Sequence, residues 1–74
     1  MKMDLPRNTF KHALRGDRPL FGLWSSIAGP YAIEALAGAG LDWLMIDTEH
    51  SPNSLQTVLS SLQVLAAYPT HAVV

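Results

Sequence analysis

Two runs of consecutive apolar residues stand out along the chain, each bounded by glycine, proline or charged residues. They cover residues 20–25 (LFGLWS) and residues 41–47 (LDWLMID). A run that is apolar at nearly every position, rather than at every second one, is typical of a strand buried on both faces, as in a parallel sheet. The final residues, 71–74 (HAVV), have the same character and are predicted to begin a third strand.

Helical patterns alternate with these strands. Asn8 can cap a short helix over residues 9–15, and a glycine directly follows it. Gly29-Pro30 is a signal for helix entry, because proline at the first helical position gives up no hydrogen bond. The second helix therefore begins at Pro30 and is expected to end at Gly38 or Gly40.

A third helix has the clearest periodicity in the sequence. Asn53 and Gln56 have the spacing of a capping box, which places the start of this helix just before its apolar positions. Those positions fall on one helical stripe, opposite Gln63. The stripe consists of Leu55, Val58, Leu59, Leu62, Leu65 and Ala66.

The resulting order is a short helix followed by β-α-β-α-β, for which right-handed crossovers between parallel strands are expected. Three parallel strands with helices on one side cannot cover both faces of their sheet, and the chain ends within an apolar strand. We therefore interpret residues 1–74 as one incomplete domain, the N-terminal portion of a larger α/β fold. A (β/α)8 TIM barrel, about 250 residues long, is favoured.

Composition narrows the class of protein. The 74 residues include no cysteine, which excludes a disulfide scaffold, a cysteine zinc module, an iron–sulfur site and thiol catalysis. No apolar run approaches the ~20 residues of a membrane span. Residues 1–7 lack the apolar segment of a secretory signal. These features favour a cytoplasmic protein with no membrane partner.

Charge is distributed unevenly. All five basic residues lie within the first 18, so the rest of the chain offers no basic face for nucleic acid and no lysine for a Schiff base. Four later carboxylates must be solvated, hydrogen-bonded, or paired with a metal, a partner subunit or further sequence. They are Glu34, Asp42, Asp47 and Glu49.

Candidate chemistry lies where the strands end, because reactive groups of parallel α/β domains gather there. Trp24 closes the first strand, and Asp47, Glu49 and His50 follow the second. Such a cluster can orient an imidazole, bind a cation, or both. The structural alternatives are that Asp47 caps the loop through backbone amides, that His50 faces solvent and that Trp24 belongs to the core.

Several stretches together resemble the HpcH/HpaI aldolase family. They are residues 8–11 (NTFK), 22–24 (GLW), 34–40 (EALAGAG), 42–47 (DWLMID), 49–53 (EHSPN) and 56–59 (QTVL). The stretch from Asp42 to Asn53 is the most specific. Thr48 and Ser51 depart from the residues common in the family, a difference expected to affect substrate range rather than reaction class.

The resemblance implies a hexameric, divalent-metal-dependent (class II) pyruvate aldolase on a (β/α)8 barrel. His50 falls on the catalytic base, Asp47 on an aspartate important for activity and Trp24 on a tryptophan that lines the active site. The Mg²⁺, Mn²⁺ or Co²⁺ ion would be held by Glu and Asp residues on later strands, so this chain itself is expected to supply no metal ligand. An arginine that stabilises the enolate would follow residue 74.

The implied reaction cleaves a 4-hydroxy-2-oxo acid, foremost 4-hydroxy-2-oxoheptanedioate from aromatic compound catabolism, to pyruvate and succinic semialdehyde. Histidine, with an ordinary pKa of ~6.5, suits the proton transfer, and a divalent cation stabilises an enolate as a Lewis acid. Two alternatives stay open. One is a sugar-acid aldolase of the same family, for 2-dehydro-3-deoxyglucarate or 2-keto-3-deoxyrhamnonate. The other is a non-catalytic truncated fragment.

Overall fold

The computed structural model describes residues 5–74 as a β-α-β-α-β unit preceded by a short helix. The described residues do not include Lys2 or Asp4. They also leave out most of residues 1–7, on which the expectation of no secretory signal depends. None of the described helices combines the length and the apolar character needed to cross a membrane. In chain order the elements are α1 (Thr9–Ala13), β1 (Gly22–Ser25), α2 (Pro30–Ala37), β2 (Trp43–Ile46), α3 (Leu55–Leu65) and β3 (His71–Val73).

The strands form a parallel sheet in the order β1-β2-β3, as the continuous apolar runs predict. Leu44 in the central strand is in register with Leu23 on one side and Ala72 on the other. Because side chains alternate between the faces of a strand, Leu44 and Ile46 point to one face, and Trp43 and Met45 point to the other. The two faces have different environments.

The core lies on the face that carries Leu44 and Ile46. Both side chains are buried there, together with Ile33 and Ala37 of α2 and Leu65 of α3. A residue distant in sequence caps the C-terminal end of α2. The buried Thr70 hydroxyl donates hydrogen bonds to the carbonyls of Ala37 and Leu41, at 3.2 and 2.9 Å. This face is therefore a conventional layer of two helices on a sheet.

The other face has no covering helix among the described residues. The aromatic ring of Trp43 lies over Gly22, where an added Cβ would stand 1.9 Å from the nearest ring carbon. At the amino end of the strands, the ring of Phe10 in α1 packs against His71, with 5.3 Å between ring centroids. Trp24 remains 62% exposed. The apolar side chains of this face are thus only partly covered.

The predicted boundaries needed small corrections. Asn8 caps α1 as expected, since its side-chain oxygen accepts the Lys11 amide at 2.9 Å, but the helix ends at Ala13 rather than residue 15. β1 begins at Gly22 rather than residue 20. α2 begins at Pro30 and has its C-terminal cap at Gly38, in agreement with the sequence.

Two predictions about α3 were wrong. Its capping box is formed by Ser54 and Thr57, one residue later than the predicted Asn53–Gln56 pair. The apolar stripe does not face the core as a whole, because Leu55 is 89% exposed, and Leu59 and Leu62 are exposed as well. The helix instead turns a face containing Ser61 inward. Ser61 is fully buried, and its hydroxyl is satisfied by the Thr57 carbonyl at 2.9 Å, so a small polar residue sits at the close contact with the core.

Candidate functional site in the loop after the second strand

The loop over residues 47–53 leaves the carboxyl end of β2 and leads to α3. Its first residue extends the sheet, since the Asp47 amide donates to the Ser25 carbonyl at the end of β1 at 3.0 Å. The ends of β1 and β2 are therefore held side by side. This is the edge of a parallel sheet where reacting groups are found in α/β enzymes.

The Asp47 carboxylate fixes the first half of this loop. Asp47 is only 7% exposed, and its Oδ1 accepts the backbone amides of Glu49 at 2.9 Å and His50 at 3.1 Å. These two hydrogen bonds, with a smaller contribution from the Trp24 side chain, lower the pKa of Asp47 despite its desolvation. Asp47 is thus ionised at neutral pH and holds the backbone of His50 in place.

The Asp47 carbonyl fixes the second half of the loop. It accepts hydrogen bonds from the Ser51 hydroxyl and from Asn53 Nδ2, the latter at 2.9 Å. Asn53 Nδ2 also lies 3.0 Å from Ser51 Oγ, while Asn53 Oδ1 accepts the Thr57 hydroxyl at 3.0 Å. A backbone carbonyl can only accept, which assigns the amide orientation of Asn53. Asn53 therefore joins the start of the loop to the first turn of α3.

In contrast to its backbone, the His50 side chain is exposed to solvent. Its imidazole is 81% exposed, and its Nε2 lies 3.3 Å from Oε1 of Glu49, whose side chain is 83% exposed. Contacts between exposed charged groups contribute little to stability, so this pair does not lock the ring. The result is a backbone held by hydrogen bonds that carries a solvent-exposed imidazole.

Trp24 is the next-to-last residue of β1 and lies close to this loop. Its exposure of 62% contradicts the alternative that it belongs to the core of this unit. The structure thus gathers the three predicted site residues at one edge of the sheet: Asp47 contacts the His50 backbone directly, and Trp24 lies close enough to influence the Asp47 carboxylate. It does not bring the Asp47 carboxylate onto the His50 imidazole, because Oδ1 is occupied by amides. The alternative that Asp47 caps the loop is confirmed.

Two of the other late carboxylates, Asp42 and Glu34, have partners within the chain. Arg18 binds Asp42 through two hydrogen bonds of 2.7 and 3.3 Å, and the pKa of Asp42 is lowered chiefly by this guanidinium. Glu34 accepts the Tyr68 hydroxyl at 2.8 Å, which raises the pKa of that tyrosine. Asp42 lies at the amino end of β2, opposite the candidate site.

The described residues do not fit a divalent-metal site by themselves. Over residues 5–74, no three side chains of histidine, aspartate or glutamate come together in a way that could hold an ion. Asp47 is the most buried candidate ligand, and its Oδ1 already accepts two amides. The expectation that metal ligands come from later strands stays a prediction.

Concave surface lies at both ends of the sheet. A depression of about 280 Å³ adjoins the loop and is lined by Thr48, Asn53, Leu55 and Val74, among others. A larger one, about 540 Å³, surrounds Arg18 and Asp42 at the amino end of the strands. The larger depression lies at the amino edge, whereas parallel α/β domains commonly present their chemistry at the carboxyl edge.

Sequence reasoning missed the network of Ser51, Asn53 and Thr57. Asn53 was assigned to a helix cap, and Ser51 was given no role beyond substrate range. The available signal was the density of short polar side chains directly after an acidic strand end, because such residues bond nearby backbone groups in turns. Ser54 and Thr57 have the same spacing as the predicted Asn53–Gln56 pair and form the capping box in the structure.

Comparison with known proteins connects this site to a family. Residues 20–74 match the family model of HpcH/HpaI aldolase/citrate lyase. A hydroxypyruvate/pyruvate aldolase of Deinococcus radiodurans is 58% identical over all 74 residues. A 4-hydroxy-2-oxo-heptane-1,7-dioate aldolase of Salmonella dublin is 56% identical over 68 residues, 92% of this chain. The chain spans 27% and 26% of the length of these two relatives.

Solved structures agree with this match. A crystal structure of an HpcH/HpaI aldolase/citrate lyase family protein from Burkholderia cenocepacia superposes with a TM-score of 0.79 and 49% identity, covering 89% of this chain and 26% of that one. A citrate synthase variant superposes with a TM-score of 0.76 and 30% identity, covering 85% of this chain and 28% of that one. The arrangement of strands and helices described above is therefore shared with chains more than three times as long.

Proposed function

Since the chain belongs to the HpcH/HpaI aldolase/citrate lyase family, we propose that it forms one part of the active site of an aldolase that releases pyruvate from a 4-hydroxy-2-oxo acid. One observation carries the proposal. A buried, ionised Asp47 holds the backbone of His50 at the carboxyl edge of the parallel sheet and leaves the imidazole accessible. The names of two relatives, both aldolases of 2-oxo acids, support the reaction class.

In the proposed reaction, His50 accepts the proton of the C4 hydroxyl. The C3–C4 bond then breaks, C4 becomes the aldehyde carbon, and the electron pair remains as the enolate of pyruvate. Protonation of the enolate at C3 completes pyruvate. Asp47 keeps the loop ordered, and Trp24 offers an exposed apolar wall beside it. 4-Hydroxy-2-oxoheptanedioate is the proposed substrate, with succinic semialdehyde as the aldehyde product.

Further parts of the proposal extend beyond residues 5–74. We propose that the chain is the N-terminal part of a (β/α)8 barrel, because its partly covered sheet face would be enclosed by further strands. Dependence on Mg²⁺, Mn²⁺ or Co²⁺ and hexameric assembly are proposed from the family resemblance, and a cytoplasmic location is proposed from the sequence features given above. No step is assigned to the metal here, because the described residues do not form its site.

A second candidate donor is hydroxypyruvate. The relative from Deinococcus radiodurans, 58% identical over the whole chain, is named for hydroxypyruvate as well as pyruvate. The reaction class and the role of His50 would be the same, and only the donor half of the substrate would differ. Comparing the two donors in aldol addition to one aldehyde separates these candidates.

The test is a hybrid aldolase in which this chain replaces the matching segment of the Salmonella dublin enzyme. We expect the hybrid to release pyruvate from 4-hydroxy-2-oxoheptanedioate in the presence of Mn²⁺. His50→Ala should lower kcat by ~10²–10⁴-fold, the usual contribution of a general base, while the dissociation constant for Mn²⁺ stays close to that of the hybrid.

The matched control is His12→Ala, since His12 is exposed on α1, away from the site, and should leave kcat unchanged. A folded hybrid without activity would contradict the proposed function. Near-normal kcat for His50→Ala would remove His50 from the mechanism, and parallel loss of Mn²⁺ affinity would make His50 a metal ligand instead.

A further inference from the structure

We propose that Asn53 is a positioning residue for the reaction, acting only through the placement of His50; this inference rests on the proposed function. Asn53 lies at the end of the loop that carries His50 and is partly buried, unlike the exposed imidazole. Asn53 also lines the depression beside the loop, but its side-chain amide is bonded back across the loop and to α3. These contacts suit Asn53 to hold the loop in place.

The side chain of Asn53 makes hydrogen bonds at both ends of the loop. Through Nδ2 it donates to the Asp47 carbonyl at 2.9 Å and lies 3.0 Å from Ser51 Oγ. Through Oδ1 it accepts the Thr57 hydroxyl at 3.0 Å. Thr57 is itself fixed in the capping box with Ser54. The amide thus connects the end of β2, the loop and the rigid first turn of α3.

This connection complements the contacts of the Asp47 carboxylate. The carboxylate fixes the amides of Glu49 and His50, while Asn53 and Ser51 together fix the Asp47 carbonyl. Without the Nδ2 donor, the loop would keep its capped first half and lose one tie to the helix. His50 would then sample positions displaced from the productive one, and a displacement of about 1 Å can reduce rate by ~10²-fold.

A double-mutant cycle in the hybrid aldolase tests this role. With His50 present, Asn53→Ala should lower kcat by about 10- to 100-fold and leave KM within about 2-fold. In the His50→Ala background, the same substitution should change kcat by less than about 2-fold, because a positioning residue has no effect once the group it positions is gone. Long incubations with end-point pyruvate assay make the slow background measurable.

Two further variants sharpen the result. Asn53→Asp keeps the size and the acceptor for Thr57 but cannot donate to the Asp47 carbonyl, so it should resemble Asn53→Ala. Gln63→Ala removes a side-chain amide from an exposed position of α3 and should leave kcat unchanged. Circular dichroism and thermal unfolding establish that each variant is folded.

The results distinguish a positioning role for Asn53 from a role that is independent of His50 and from a role in folding. An equal loss from Asn53→Ala in both backgrounds would mean that Asn53 acts independently of His50, and the proposal would be wrong. It would also be wrong if neither Asn53→Ala nor Asn53→Asp folds, since Asn53 would then be a folding residue. Failure of the proposed function is distinguished by His50→Ala alone, which would then retain activity.

Discussion

The contact between Gly22 and Trp43 permits a prediction whose size follows from the structure. A Cβ at residue 22 would stand 1.9, 2.2 and 2.5 Å from three ring carbons of Trp43, whereas carbon atoms in ordinary contact are separated by ~3.5–4.0 Å. Gly22→Ala therefore requires the indole or the strand to move by roughly 1.5–2 Å. Overpacking of this kind costs about 1–3 kcal/mol, and we expect the hybrid aldolase to lose that much stability in urea denaturation.

The matched control is Gly38→Ala. A Cβ at Gly38 would meet only two backbone oxygens at 3.8 Å, and the φ of −82° suits any residue, so we expect a change within about 0.5 kcal/mol. Shortening the ring provides the decisive measurement: in a Trp43→Leu background, Gly22→Ala should cost at least about 1 kcal/mol less. An unchanged cost in that background would show that the indole is not the reason for glycine at position 22.

Two more predictions concern Asp47 and the isolated chain. The folded-state pKa of Asp47 is lowered, so its stabilisation is fully present above the ordinary aspartate value of ~3.9 and is lost as the pH falls through the lower folded value. The hybrid and its Asp47→Asn variant should therefore differ in urea midpoint at pH 7 and converge in acid; a difference independent of pH would contradict this. The 74-residue chain alone should release no pyruvate and should sediment as aggregates, because large apolar side chains such as Phe21, Trp24 and Leu59 are exposed. Turnover above a metal-only control, or a sharp thermal transition of a monomer, would refute it.

The sequence was informative wherever one residue type permits one local structure. Pro30 after glycine located the start of α2, and Asn8 located the start of α1. The continuous apolar run that ends at Asp47 predicted a strand of a parallel sheet, which the structure shows to be the central one, and it placed the candidate residues after that strand. These inferences depend on neighbours within a few residues, and short-range sterics and hydrogen bonding decide them.

The inaccurate predictions concern choices that neighbours do not decide. Only part of the apolar stripe of α3, with Val58 and Leu65, packs against the core, and periodicity cannot show that Ser61 rather than Leu59 faces inward. Arg18 and Asp42 are 24 positions apart, and only the pairing of strands brings them together. Asn53 had the right spacing for a cap, but Ser54 competes for the same turn and forms it.

The ionisation of Asp47 limits the chemical role that this residue can have in the candidate site. A carboxylate whose pKa is lowered by two backbone amides is a weak base at neutral pH, so Asp47 is unsuited to take a proton from a hydroxyl. The same amides occupy Oδ1 and leave the carboxylate little freedom to turn toward a ligand. Histidine is the side chain whose ordinary titration range suits proton transfer near pH 7, and His50 is presented at this edge on a backbone that Asp47 holds. In the proposed reaction, the ionised aspartate orders the loop and the exposed imidazole transfers the proton.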